Sequence, residues 1–180
     1  LGTGSAEYLT RGGEAAMRNA KQLVLRTGRS PIASFLTEQG FDFDTLDDLY
    51  EQCEDFDAFH QAAAVTLFSR MKEGYLCYVV SDAAFDGTVF ALQRLKPRDL
   101  ELRIVPGVSL ADCCLSLIKR QSGHVRIMSA CELEESKLLP DEPLLLCELY
   151  SRECAGDCKL KLMELLPDEL PVTLITGREE

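Results

Sequence analysis

Short apolar segments rich in β-branched residues alternate along this chain with amphipathic segments of helical period, and no feature constrains its fold more. "KQLVLRT" at 21–27, "FDFDTL" at 41–46, "YLCYVV" at 75–80, "LELRIV" at 100–105, "HVRIMS" at 124–129, "PLLLCEL" at 143–149 and "PVTLIT" at 171–176 read as strands. Between them, Glu7 to Ala20 reads as a helix, and a second helix has Ser30 as N-cap, Pro31 at its first position and Gly40 at its end. "DDLYEQC" and "DFDAFHQAAAVTLFSRMKEG" read as helices too, the latter with Phe56, Phe59, Ala63, Leu67 and Met71 near one face and Gly74 closing it. Strands separated by helices pair in parallel, because a helical crossover returns the chain to the same end of the sheet. The expectation is an α/β fold with a largely parallel sheet.

In such sheets ligands bind outside the carboxyl ends of the strands. Three strand ends therefore matter. The opening "LGTGSAEYLT" looks like the tail of a strand entering a loop, with residues expected to be missing before Leu1, and Gly2 and Gly4 allow the backbone a tight turn and a close approach to a ligand. The second is "SDAAFDG", where Ser81, Asp82 and Ala83 precede Asp86 and a helix start. Such helix starts favour anions. Two aspartates beside one argue against a bare phosphate ligand. The third is "RIVPGVSLADCC", where Pro106–Gly107 turns the chain and Ser109, three residues before Asp112, suits a capping box.

Charge narrows the partners. A formal net charge of −11 argues against nucleic acid and anionic membrane surfaces, both of which demand clustered Lys and Arg. No apolar run approaches the ~20 residues of a spanning helix. A small molecule or a protein fits better. Eight cysteines stand mostly singly in core-like segments, with no C-x2-C; Cys154 and Cys158 would share a helix face but read as buried reduced thiols, which points to a cytosolic chain.

Taken in order, "LGTGSAEYLT", "LVLRTGRSP", "DFDTLDDLYEQCEDFDAFH", the "YVV" strand with its loop, "IVPGVSLADC" and "ELYSRECAGDCKLKLMELLPDELPVTLIT" resemble the tetrapyrrole (corrin and porphyrin) methylase family. The nearest likeness is to the methylase-like domain fused ahead of MazG-type nucleotide pyrophosphohydrolases. The resemblance implies a two-lobed α/β protein with a mostly parallel sheet in the first lobe, residues 1–122, and a second, smaller α/β lobe, residues 123–180, the whole expected to be incomplete at both ends. It implies a cytoplasmic homodimer that binds S-adenosylmethionine, or S-adenosylhomocysteine as product, between its lobes. Gly2 and Gly4 match the family's G-x-G loop, and Pro106, Gly107, Val108 and Ser109 match its P-G-V-S turn beside the cofactor. Tyr150 and Ser151 match the loop opening the second lobe. The Ser81 to Asp86 loop matches the family's cofactor loop in position. There the family writes P-G-x-P, whereas this chain has Ser81–Asp82 for Pro–Gly and Ala84 for the second proline. The first loop similarly has Thr3, Ser5 and Ala6 where Pro, Asp and Pro are usual.

The cofactor's sulfonium is cationic, so Asp82 would not repel it. Methyl transfer asks little of side chains, since alignment supplies much of the barrier reduction. No catalytic residue is assigned, and His60 and His124 read as structural or solvated. The acceptor is expected to be a small molecule. A MazG-type domain is an expected partner in cis or trans; the chain itself is not that hydrolase, because Glu51/Glu54 and Glu132/Glu135 lack a following E-x-x-D for magnesium. The alternative is a catalytically degenerate ligand-sensing or scaffolding domain of the same fold. No metal site is expected.

Overall fold

A computed structural model describes residues 6–71, 74–119, 124–130, 133, 138–139, 142–149 and 151–175. The fold is mixed α/β with short parallel sheets, as the alternation predicts. The chain divides into two compact units, Leu1–Ser109 and Leu110–Glu180.

In the first unit a three-stranded parallel sheet has the order β2–β1–β3, with β1 at Gln22–Leu25, β2 at Asp44–Thr45 and β3 at Leu76–Val79. Val24 pairs with Asp44 on one side and Tyr78 on the other. The central strand is apolar on both faces because both are covered. Leu23 and Leu25 pack with Met17, Ile32 and Leu36. These come from α1 (Arg11–Asn19) and α2 (Pro31–Glu38). Val24, with opposite parity, packs with Phe59, Ala63, Leu67 and Leu92. These belong to α4 (Phe56–Arg70) and α5 (Gly87–Leu95), and the short α3 (Asp47–Glu51) precedes α4. Strand alternation thus sorts one sheet's side chains into two helical layers.

Local chemistry sets the helix limits. Thr10, Asp55 and Asp86 cap α1, α4 and α5 by accepting amide hydrogen bonds from Gly13, Ala58 and Val89. The expected helix from Glu7 to Ala20 is split by the Thr10 cap into a 3-10 turn at Ala6–Tyr8 and α1. Pro31 opens α2, and Gly40 follows it at φ +75, where a Cβ would be strained.

The second unit holds α6 (Leu110–Leu117), a parallel pair of β4 (Arg126–Ser129) and β5 (Leu144–Cys147), and α7 (Arg152–Leu165). Met128, Ala130, Leu133 and Cys158 form its core, with Leu144, Leu146 and Leu162 against them. α6 packs beside β5. The Cys158 thiol is buried against the Ala130 carbonyl at 3.8 Å, and all seven described cysteines are reduced. Among the described residues no three His, Cys, Asp or Glu side chains gather as a metal site, and no helix is long and apolar enough to cross a membrane.

Two expected strands are corrected. Residues 101–105 of "LELRIV" and 171–175 of "PVTLIT" have no regular structure; Ile104 is exposed, and Val172 and Leu174 are 78% and 73% exposed. An extended apolar segment becomes a strand only when a neighbouring strand takes up its backbone hydrogen bonds. Neither segment has that ladder among the described residues.

Candidate functional site

Parallel β1 and β3 end together, at Leu25 and Val79, so the loops after them leave the same edge of the sheet. Asp82 organises the second loop. Its Oδ1 accepts from the Ala84 amide at 2.9 Å, an Asx turn, while its backbone carbonyl accepts from the Phe85 and Asp86 amides. Its Oδ2 accepts from the Ser109 hydroxyl at 3.2 Å, joining this loop to the Pro106 to Ser109 turn. That turn is also tied to the start of α1, where the Thr10 hydroxyl donates to the Pro106 carbonyl at 3.3 Å. Ser81, Pro106 and Gly107 are exposed, whereas Asp82, Ala83, Val108 and Ser109 are half-buried.

Of the residues singled out by sequence, those on the Ser81 and Pro106 loops are therefore brought together. Gly2, Gly4 and Tyr150 lie outside the described residues, as do Glu132 and Glu135. Ser151 is exposed in the second unit and caps α7, accepting from the Cys154 amide at 3.1 Å.

The two bonds to Asp82 yield a prediction. Asp82→Asn keeps the acceptor facing Ala84, and the Ser109 hydroxyl can turn to accept from the new amide, so stability should stay within ~0.5 kcal/mol of the parent. Asp82→Ala loses both bonds and should cost about 1–2 kcal/mol. Urea titration of both variants checks this, and equal stabilities would refute the tie.

Beneath the loop lies a polar cluster that sequence reasoning missed. Asp86, 2% exposed, accepts from Arg26 Nη1 at 3.2 Å through Oδ2 and caps α5 through Oδ1. His60 on α4 meets the fully buried Thr88 hydroxyl, Nδ1 to Oγ1, at 3.0 Å. Its ring also packs edge-on to Phe59. The Tyr78 hydroxyl is buried among them and makes no hydrogen bond within the described residues. Burial pushes the Asp86 carboxyl above its ordinary range, opposed by Arg26 and by the Val89 amide. Burial lowers the His60 pKa, opposed by Asp86 and assisted by Arg26. Burial also raises Tyr78. Arg26, a cation closing the buried "LVL" strand, was the one available signal.

The loop after β1 is braced separately. Asp47 accepts from the Thr27 hydroxyl at 2.6 Å and the Gly28 amide at 2.8 Å. An open groove of about 510 Å³, lined by Lys21, Gln22, Asp42, Phe43 and Arg70, lies at the amino ends of β1 and β2. That is the wrong end of a parallel sheet for a ligand site, and its Arg70 is paired with Asp44 at 2.8 Å. The tied loops at the carboxyl ends are the candidate site.

The model of the Tetrapyrrole (Corrin/Porphyrin) Methylases matches residues 1–176. The uncharacterized protein YabN of Bacillus subtilis (strain 168) is 27% identical over 181 residues, covering 98% of this chain. The chain spans 37% of that relative's length.

Proposed function

The chain belongs to the tetrapyrrole methylase family, and on that premise we propose that it binds S-adenosylmethionine at the tied strand-end loops and methylates a small-molecule acceptor. The observation that carries this reading is the hydrogen bond between Asp82 and Ser109, which joins the two loops that the family resemblance assigns to the cofactor. The residues suit that ligand. Exposed Pro106 and Gly107 offer backbone with little side chain in the way, and the exposed Ser81 hydroxyl can bond to adenosine or amino-acid groups. Asp82 sets a carboxylate beside the place a sulfonium would take.

When bound, the cofactor supplies an electrophilic methyl group. The chain's own task is to hold the loops at a fixed spacing. Asp82 does so through Ala84 and Ser109, and Thr10 does so through Pro106. Alignment of an acceptor against such a frame lowers the barrier without a side-chain nucleophile.

A thermal-shift titration tests the reading. Ligand that binds only the folded chain at a hundredfold excess over its dissociation constant should stabilise it by about 2.7 kcal/mol. S-adenosylhomocysteine should do likewise. No shift with either at millimolar concentration overturns the proposal.

A second reading, a ligand-sensing or scaffolding domain, is favoured by the loop's composition, since Ser81, Asp82 and Ala84 stand where the family writes Pro, Gly and Pro. It predicts binding without transfer of a labelled methyl group. Under either reading we infer a cytoplasmic homodimer that works with a MazG-type domain in cis or trans. Support for this comes from the family resemblance and from the greater length of YabN.

A further inference from the structure

The loop from Ser81 to Asp86 ends at the first turn of α5, and that turn is seated on two side chains from elsewhere in the first unit. The guanidinium of Arg26, just past β1, pairs with Asp86. The imidazole of His60, on α4, bonds to Thr88 and lies so close over Gly87 that a Cβ there would collide with its Cδ2 and Nε2. Glycine at position 87 is thus matched to the ring above it. Phe56 and Phe59 also contact the imidazole, which limits where the ring can go.

We propose that His60 and Arg26 are positioning residues for the Ser81 to Asp86 loop, and that occupancy of this loop by a cationic ligand is coupled to protonation of His60. The ligand's identity rests on the cofactor reading above; the positioning does not.

The physical argument is one of charge confined to a small volume. The groups facing His60 are Asp86 and Thr88 from the loop and α5, Arg26 just past β1, and Asp57 on its own helix, and Tyr78 of β3 lies beside Asp86, Arg26 and Thr88. A proton on His60 adds a second cation next to Arg26, and both then compete for Asp86. The oxygen that Asp86 gives to Arg26 and the one that caps α5 belong to one carboxylate, so a pull on either shifts the loop's anchored end. Burial favours the neutral ring, so His60 takes up its proton below its ordinary value of 6.5. Its contribution to stability is present above that value and is lost as pH falls through the folded-state pKa. A sulfonium held by the loop and a proton on His60 repel one another. By reciprocity, acid weakens binding of the cation and binding of the cation expels the proton.

Calorimetric titration of the full chain with S-adenosylmethionine and with S-adenosylhomocysteine, which lacks the sulfonium charge, from pH 8 to pH 5.5, tests the coupling. Because His60 takes up its proton below 6.5, the parent should lose at most about tenfold in affinity for the sulfonium by pH 5.5, and less than that for the thioether. His60→Asn keeps a polar atom near the Nδ1 position and carries no charge, so its profile should be flat. Amide exchange gives a readout that needs no ligand. Protection of the Ala84, Asp86 and Val89 amides should fall in acid in the parent and not in His60→Asn.

If the parent binds neither ligand, the cofactor reading fails while the exchange data still decide the positioning. Should His60→Asn fail to fold, ring-proton titration of the natural protein replaces it. There a loop-bound sulfonium should lower the His60 pKa. Identical pH profiles and identical amide protection in parent and variant, or a His60 titration indifferent to bound ligand, would overturn the proposal.

Discussion

Replacing Asp86 with Ala is expected to lower the unfolding free energy by about 3 kcal/mol, through loss of a helix cap and of the carboxylate facing Arg26. The cap is worth about 1 kcal/mol. The rest is the cost of stripping a buried carboxylate from a guanidinium; it is set below the ~3–5 kcal/mol of a fully buried pair because the Arg26 side chain is 21% exposed and keeps some access to water. In a chain of this size the loss corresponds to a melting point lower by roughly 6–12 °C. Asp86→Asn should cost less, since its amide oxygen can still accept from Val89. Adding Arg26→Met to Asp86→Asn removes the unmatched charge and should recover part of the loss. The pH dependence has a definite sign. Burial raises the Asp86 pKa, so the folded chain holds that proton more tightly than the unfolded chain. Its contribution is greatest below the unfolded value and declines as pH rises through the folded one. Asp86→Asn should flatten that part of the stability profile. A melting point for Asp86→Ala within 2 °C of the parent would show that the pair does not support the fold.

Phe59→Ala should cost about 3–5 kcal/mol, the range for an aromatic side chain removed from a close-packed core. Phe59 is 1% exposed and lies at the centre of the α4 face against Val24, Leu46 and Leu67. Its ring also makes an edge contact with Tyr50 at 5.6 Å between centroids, and Tyr50 in turn contacts Phe56. Edge contacts of this kind add about 0.5–1.5 kcal/mol to area burial. Phe59→Leu keeps most of the apolar volume and should lose about half as much. In guanidinium titrations the midpoint should move with little change in slope. A cost below ~1 kcal/mol for Phe59→Ala would contradict the core described here.

The elements read correctly from sequence are those whose signals are local. The run Leu23, Val24, Leu25 declares a strand covered on both faces, and it is one. Ser30–Pro31 and Gly40 bound α2, and the stripe of Phe59, Ala63 and Leu67 faces the core as its spacing demands. "LELRIV" carries the same local pattern as a strand and is not one, because pairing depends on a neighbour that the pattern does not encode. The site divides in the same way. The turn that Asp82 makes with Ala84 spans two residues, whereas its bond to Ser109 spans 27, and that between Arg26 and Asp86 spans 60. His60 read as structural from its place on an apolar helix. Its seat over Gly87 became visible only once α4 and α5 were packed together.

The tie between Asp82 and Ser109 has a thermodynamic character that proline would not give this loop. Proline narrows the conformations of the unfolded chain as well as the folded one, so its restraint persists when a loop opens. A side-chain hydrogen bond restrains only the closed loop and vanishes on opening, which leaves the open chain with its full freedom. Its net contribution of about 1 kcal/mol is a fewfold bias in population and is far from a lock. Rigidity here is therefore reversible: the loop at Ser81 can release from the Pro106 turn and re-form around a ligand, with the ordering cost met at the moment of binding.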